Sequence, residues 1–195
     1  FTCLGLPRLL NIDIGTLEAK FYELSRAFHP DFYQNKTDSE QAISLGNSAL
    51  LNTAYRTLKD PIQRAEYLLR LEAGSAKDIR TSPPADLFEE ILALQEDLEE
   101  YRSAQADQNQ AGLEQLRARL TADRDMLEQR QREMESRLFE LFAKWDSLQG
   151  RQSQAQQADP HLREDKDAVL KEMREVFSNR TYLRNIVNDL VATTA

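Results

Sequence analysis

Five of the six prolines (Pro7, Pro30, Pro61, Pro83 and Pro84) lie in the first 84 residues, and none occurs between Ala85 and Asp159. Proline breaks helix interiors, so this distribution predicts short helices in front and long ones behind. No stretch combines period-2 alternation with the Val, Ile and Thr content of a strand. The chain is therefore read as all-α, built in two parts.

In the front part, residues 1–10 are expected to form a short helix limited by Gly5 and Pro7. Asp13 is placed to cap a second helix reaching about Phe28. Its Leu17, Phe21, Leu24 and Phe28 fall on one face. Pro30 ends that helix, because the residue before a proline is pushed away from the α region. A third helix over 38–59 should turn Ile43, Leu50, Leu51, Ala54, Tyr55 and Leu58 inward. Asp60-Pro61 reads as a cap followed by a first-turn proline, opening a fourth helix over 61–71 with Ala65, Leu68, Leu69 and Leu71.

Residues 73–84 hold Gly, Ser and a proline pair and read as a linker. Behind it, Leu87, Ile91, Leu94, Leu98 and Tyr101 repeat at four and three residues, a coiled-coil-like stripe over 86–104. A second long helix over 109–149 repeats it with Leu113, Leu116, Leu120, Leu127, Met134, Leu138, Leu141, Trp145 and Leu148, Trp145 being read as bundle core. Residues 150–159 read as a turn. A third helix from Pro160 carries Leu162, Val169, Met173, Val176, Leu183, Val187 and Leu190. Three amphipathic helices with short loops make an up-down-up bundle. The expected division is 1–72, linker 73–84 and bundle 85–195.

Composition narrows the function. One cysteine cannot build an internal disulfide framework. One cysteine and two histidines cannot make a zinc finger or a Cys-ligated iron–sulfur site, so no metal and no cofactor is expected. A net charge of −8 argues against nucleic acid and anionic lipid as partners. No apolar run reaches the roughly 18 residues of a membrane span, and residues 1–10 lack the apolar core of a secretory signal. Cys3 is expected to be buried, and His161, beside Pro160, to face solvent. There is no Gly-rich phosphate loop and no nucleophile–base pair, so an enzyme is not expected.

The most specific feature is His29-Pro30-Asp31 at the tip of the helical hairpin. Pro30 fixes φ near −65° and stiffens the turn, so two polar side chains project from it. Asp31 can accept from an Arg or Lys of a partner, and neutral His29 offers one donor and one acceptor.

On these residues the front part resembles a J domain, whose His-Pro-Asp loop stimulates ATP hydrolysis by a DnaK-type chaperone. Leu24-Ser-Arg-Ala-Phe-His-Pro-Asp31, Asn52-Thr-Ala-Tyr-Arg-Thr-Leu58 and Asp60-Pro-Ile-Gln-Arg-Ala-Glu-Tyr-Leu-Leu69 resemble the HscB type, the J-proteins of iron–sulfur cluster assembly. The resemblance implies a J domain over 1–72 joined to a scaffold-binding three-helix bundle over 85–195. It implies a regulator of a partner ATPase (HscA-type), working in the bacterial cytoplasm or the mitochondrial matrix. It assigns the chaperone contact to His29, Pro30 and Asp31, with Lys20 and Arg26 as basic positions on the hairpin. Phe32 departs from the pattern, standing where the family often has Lys or Arg.

Residues 86–100 hold seven carboxylates and no basic side chain. Phe88 and Leu92 lie on the flank of the core stripe and continue into Glu96 and Glu100, a pattern suited to a basic partner with an apolar anchor. The resemblance implies that this helix binds an IscU-type scaffold protein through Phe88, Glu89, Leu92, Ala93, Glu96 and Glu100, with Tyr182 on the last helix. Glu89 stands there for an apolar residue and Ala93 for an acidic one. Two rival readings are a general protein-folding J-protein, and a helical adaptor in which His-Pro-Asp is coincidental. The missing Gly/Phe-rich segment and cysteine-rich zinc domain count against the first.

Overall fold

The computed structural model describes residues 1–72, 85–106, 110–154 and 159–194. Six α-helices order them, with no strand among the described residues: α1 Ile14–Ala27, α2 Asp38–Lys59, α3 Pro61–Glu72, α4 Phe88–Ala106, α5 Gln110–Gln154 and α6 Pro160–Thr194. Short 3₁₀ turns precede α1, α2 and α4 at Thr2–Leu4, Pro30–Tyr33 and Ala85–Leu87. The linker expected over 73–84 lies outside the described residues.

The described residues fall into two compact units. The first holds α1, α2, α3 and the stretch Phe142–Val169; the second holds α4, α5 up to Leu141 and α6 from Leu170.

In the first unit, the Asp13 carboxylate accepts from the Thr16 amide at 2.7 Å and caps α1. Helices α1 and α2 form a hairpin closed at its base by polar contacts. Tyr55 Oη and Lys59 Nζ donate to Glu18 Oε1 at 3.0 and 3.2 Å. The bonds from Lys59 and Tyr55 hold the Glu18 carboxyl below its ordinary range. Phe21 stacks on Tyr55 with ring centroids 4.3 Å apart. Leu17, Leu51 and Leu58 are buried between the helices, and α3 adds Ala65, Leu68 and Leu69.

Ile43 and Leu50, expected to face inward, are 60% and 56% exposed. The inward side of α2 is set by Ser44, Leu51 and Leu58, and at about 100° per residue Ile43 and Leu50 fall roughly a quarter-turn from it. Arg64 is buried on α3, and its Nη1 donates to the Leu58 carbonyl at 2.5 Å, satisfying the end of α2. Burial draws the Arg64 guanidinium below its ordinary value, countered by the charges of Asp146 and Asp60.

The start of the chain is a single 3₁₀ turn rather than a ten-residue helix, ended by Gly5 at φ 63°, a left-handed conformation that suits glycine. Three residues per turn put Phe1 and Leu4 on one face, and both are buried. Cys3 is off that face and is exposed, contrary to expectation. The segment behind it is held by α5. Asp146 accepts from the amides of Leu10 and Asn11 at 2.7 and 2.8 Å, and from Asn11 Nδ2 at 2.9 Å. Trp145 is fully buried and donates its indole N–H to the Arg8 carbonyl at 3.0 Å. Trp145 thus serves the core of the first unit. His161 is exposed, as expected.

The second unit is a three-helix core. Leu87, Ile91, Leu94, Leu98 and Tyr101 meet Leu116, Leu120 and Leu127 of α5 and Leu183, Val187 and Leu190 of α6. Ion pairs fix the directions. Asp86 pairs with Arg130 and Asp97 with Arg119, so α4 and α5 are antiparallel. Arg137 pairs with Glu172 at 2.5 Å and Arg180 with Glu135 at 2.6 Å, so α5 and α6 are antiparallel as well. Helix α5 runs on through Gly150 to Gln154, where a turn was expected.

Candidate functional site

Two surfaces carry the residues singled out by sequence. The first is the tip between α1 and α2. His29 has extended dihedrals, φ −65° and ψ 128°, which end α1 and start the 3₁₀ turn Pro30–Tyr33. Its Nδ1 accepts from the Asp31 amide at 3.3 Å. The neutral ring offers one donor and one acceptor, and the side chain is about half exposed. The Asp31 side chain is 70% exposed, with Oδ2 3.5 Å from His29 Nδ1 and Oδ1 3.5 Å from Gln34 Nε2.

The backbone below the tip is pinned from several directions. Phe32 N donates to His29 O at 3.1 Å and Lys36 N to Tyr33 O at 2.9 Å. Tyr33 Oη donates to Ala27 O at 3.3 Å, and Ser44 Oγ to Phe28 O at 2.9 Å. Gln41 Nε2 donates to both Gln34 O and Lys36 O at 3.0 Å. Thr37 and Glu40 complete a capping box that starts α2 right after the tip. Beside it opens a groove of about 460 Å³ whose lining includes Pro30, Ala42 and Leu45 with Asp31 and Asp38. Lys20 and Arg26 are both exposed on α1. Lys20 is tied to Glu23 at 3.0 Å, and Arg26 has no ion-pair partner among the described residues.

The second surface is α4. Its core residues take one side; at about 100° per residue Phe88 and Leu92 fall roughly 100° and 140° from the centre of that stripe, Glu99 roughly 120° and Glu96 roughly 180°. Phe88 and Leu92, on the flank of the core stripe, are 58% and 50% exposed. Glu89, Ala93, Glu96 and Glu100 are exposed around them. The carboxylates of Glu89, Glu90, Glu96, Glu99 and Glu100 have no ion-pair partner among the described residues. Asp86 and Asp97 leave the acidic row: Asp86 pairs with Arg130, and Asp97 is buried against Arg119 at 2.8 Å. Tyr182 is half-buried against the core of this unit.

Sequence reasoning missed the roles of Gln41 and Ser44, whose side chains hold the tip's backbone. A polar residue at a buried helix position is the signal that could have found Ser44. No helix among the described residues is long and apolar enough to cross a membrane.

A helical hairpin closed by a pinned His-Pro-Asp tip, together with a three-helix bundle, defines the class: a J domain in a chain with an all-α bundle. Its relatives narrow the type. The co-chaperone protein HscB of Proteus mirabilis is 34% identical over 110 residues, covering 56% of this chain and 64% of that one. The HscB homologue of Aliivibrio salmonicida is 35% identical over 105 residues, 53% of this chain and 61% of that one. The chain therefore spans less than two thirds of the length of these curated relatives. The crystal structure of human co-chaperone HscB matches with a TM-score of 0.54 at 21% identity, over 98% of this chain and 80% of that one, which supports the fold. No protein-family model matches the chain. The chain is HscB-like, in sequence to the two bacterial co-chaperones and in fold to the human one.

Proposed function

We propose that the chain is a J-type co-chaperone of iron–sulfur cluster assembly. It binds an IscU-type scaffold protein, delivers it to a DnaK-type (HscA-type) chaperone, and stimulates that chaperone's ATP hydrolysis. It acts in the bacterial cytoplasm, and the chemistry belongs to the partner ATPase.

The observation that carries the reading is the construction of the tip. The His29 ring is held against Asp31 through Nδ1, with the Asp31 carboxylate exposed beside it. One donor and one anion on a pinned turn can form charge-assisted bonds with an Arg and an acceptor of a partner. Such contacts act on an ATPase only if they are stronger in its hydrolysis-competent state, which then gains population. Arg26, exposed on α1, adds a cation for an acidic patch of that partner, and Lys20 adds a second once it leaves Glu23. The face of α4 supports the second half of the proposal. Phe88 and Leu92 offer an apolar anchor, the exposed carboxylates around them suit a basic rim, and Tyr182 contributes from α6.

The test is steady-state ATPase of the cognate DnaK-type chaperone with the scaffold present. His29→Gln should abolish stimulation while leaving the thermal unfolding profile unchanged, because His29 is exposed and packs no core. Stimulation equal to that of the unaltered protein overturns the assignment.

A further inference from the structure

We propose that Phe32 selects the partner ATPase by seating its ring in an apolar hollow edged by a basic group. The inference rests on the reading of the tip as an ATPase contact, and adds the chemistry that contact requires.

Phe32 is 70% exposed, the most exposed of the large apolar side chains among the described residues. Its backbone is not free to fold that ring away. The Phe32 amide donates to His29 O at 3.1 Å, closing the 3₁₀ turn, and the next residue is anchored through Tyr33 Oη on Ala27 O. The ring meets the His29 imidazole edge-on, with centroids 6.1 Å apart and planes at 71°. An aromatic ring carried on a stiff turn has only two side-chain torsions to lose on docking, the property that makes aromatic residues interface anchors.

Charge fixes the kind of surface that fits. From Ala27 to Asn35 the only formal charge is that of Asp31. A partner must therefore place a cation against Asp31 and, beside it, a surface with no need of a donor, because Phe32 has none. A partner carboxylate facing Phe32 would be buried unpaired, which discriminates against such an ATPase.

The full-length chain is titrated into the DnaK-type ATPase of the same organism, reading hydrolysis rate against concentration. Phe32→Ala should raise the half-saturating concentration about tenfold at an unchanged maximal rate, the effect of ~1.4 kcal/mol of binding. Phe32→Leu should restore most of that affinity and Phe32→Lys should not, and the Phe32→Ala shift should be the same at low and high salt. His29→Gln, run alongside, should lose the maximal rate instead. Unchanged half-saturation in Phe32→Ala while His29→Gln is inactive overturns the anchor and leaves the tip reading standing. A Phe32→Lys chain that equals or exceeds the unaltered protein also overturns the anchor. So does a Phe32→Ala chain that loses maximal rate at unchanged half-saturation, since that makes Phe32 part of the trigger. Full stimulation by His29→Gln removes the tip reading and the anchor together.

Discussion

Arg119 of α5 pairs with Asp97 of α4 at 2.8 Å, and Asp123 sits one turn further along α5. Partial burial, with the charge of Asp97, raises the Asp123 carboxyl above the ordinary carboxylate range, and Arg119 only partly offsets this. A carboxyl whose folded pKa is raised binds its proton more tightly in the folded chain. At a pH above the raised folded value it is ionised in both states and its full penalty is present. As pH falls through the raised folded value toward the unfolded one, the penalty is relieved. Asp123→Asn should therefore raise the melting temperature at pH 7, and its advantage should shrink as the pH is lowered through that interval. A melting temperature lowered at pH 7 overturns this account. Asp97 also marks a limit of reading side chains by charge. It belongs to the same acidic run as Glu96, yet its position on the helix turns it toward α5. Its exposure depends on where the Arg119 side chain reaches, which the run of carboxylates does not encode.

Helix α4 divides its labour cleanly between two sides. The stripe from Leu87 to Tyr101 was legible because its spacing of four and three is that of a buried helix seam. Phe88 and Leu92 were legible as a pair on the flank of that seam, and both are exposed there. Since neither side chain is buried, Phe88→Ala with Leu92→Ala should leave helicity and melting unchanged. It should weaken binding of the scaffold protein by about tenfold or more, as loss of a central apolar anchor does. Isothermal titration against the IscU-type scaffold measures this, and retained affinity moves the docking face elsewhere. Glu96→Gln with Glu100→Gln should instead slow association and flatten its salt dependence, because exposed carboxylates act mainly by steering. The length of α5 was less legible. Gly150 reads as a stop, yet it is tolerated inside the helix. An interior glycine costs only about 1 kcal/mol, little against the tertiary contacts of a 45-residue helix.

At the scale of the whole molecule, the sequence divides at its proline-bearing linker, but the compact units do not follow chain order alone. The first unit draws in Phe142–Val169 from the two long rear helices. Hydrophobic periodicity could mark Trp145 as buried, and it is. It could not say against what, because the same heptad spacing serves either set of neighbours. The decisive groups are polar and sit far apart in sequence. Asp146 gathers two backbone amides and the Asn11 side chain, and Trp145 donates to the Arg8 carbonyl. A carboxylate accepting three N–H groups is a strong, short-range tie, and the Leu10 amide is partly buried, so losing its acceptor leaves it short of a partner. Asp146→Ala should destabilise the first unit by ~1–3 kcal/mol, the cost of an unsatisfied buried donor. Thermal unfolding followed by circular dichroism measures that loss. Amide hydrogen exchange locates it: Leu10 and Asn11 should lose protection first, while Leu116, Leu120 and Leu183 in the second unit keep theirs. Equal loss of protection in both units would mean that Asp146 acts on global stability and not as the local tie for the Arg8–Asn11 segment.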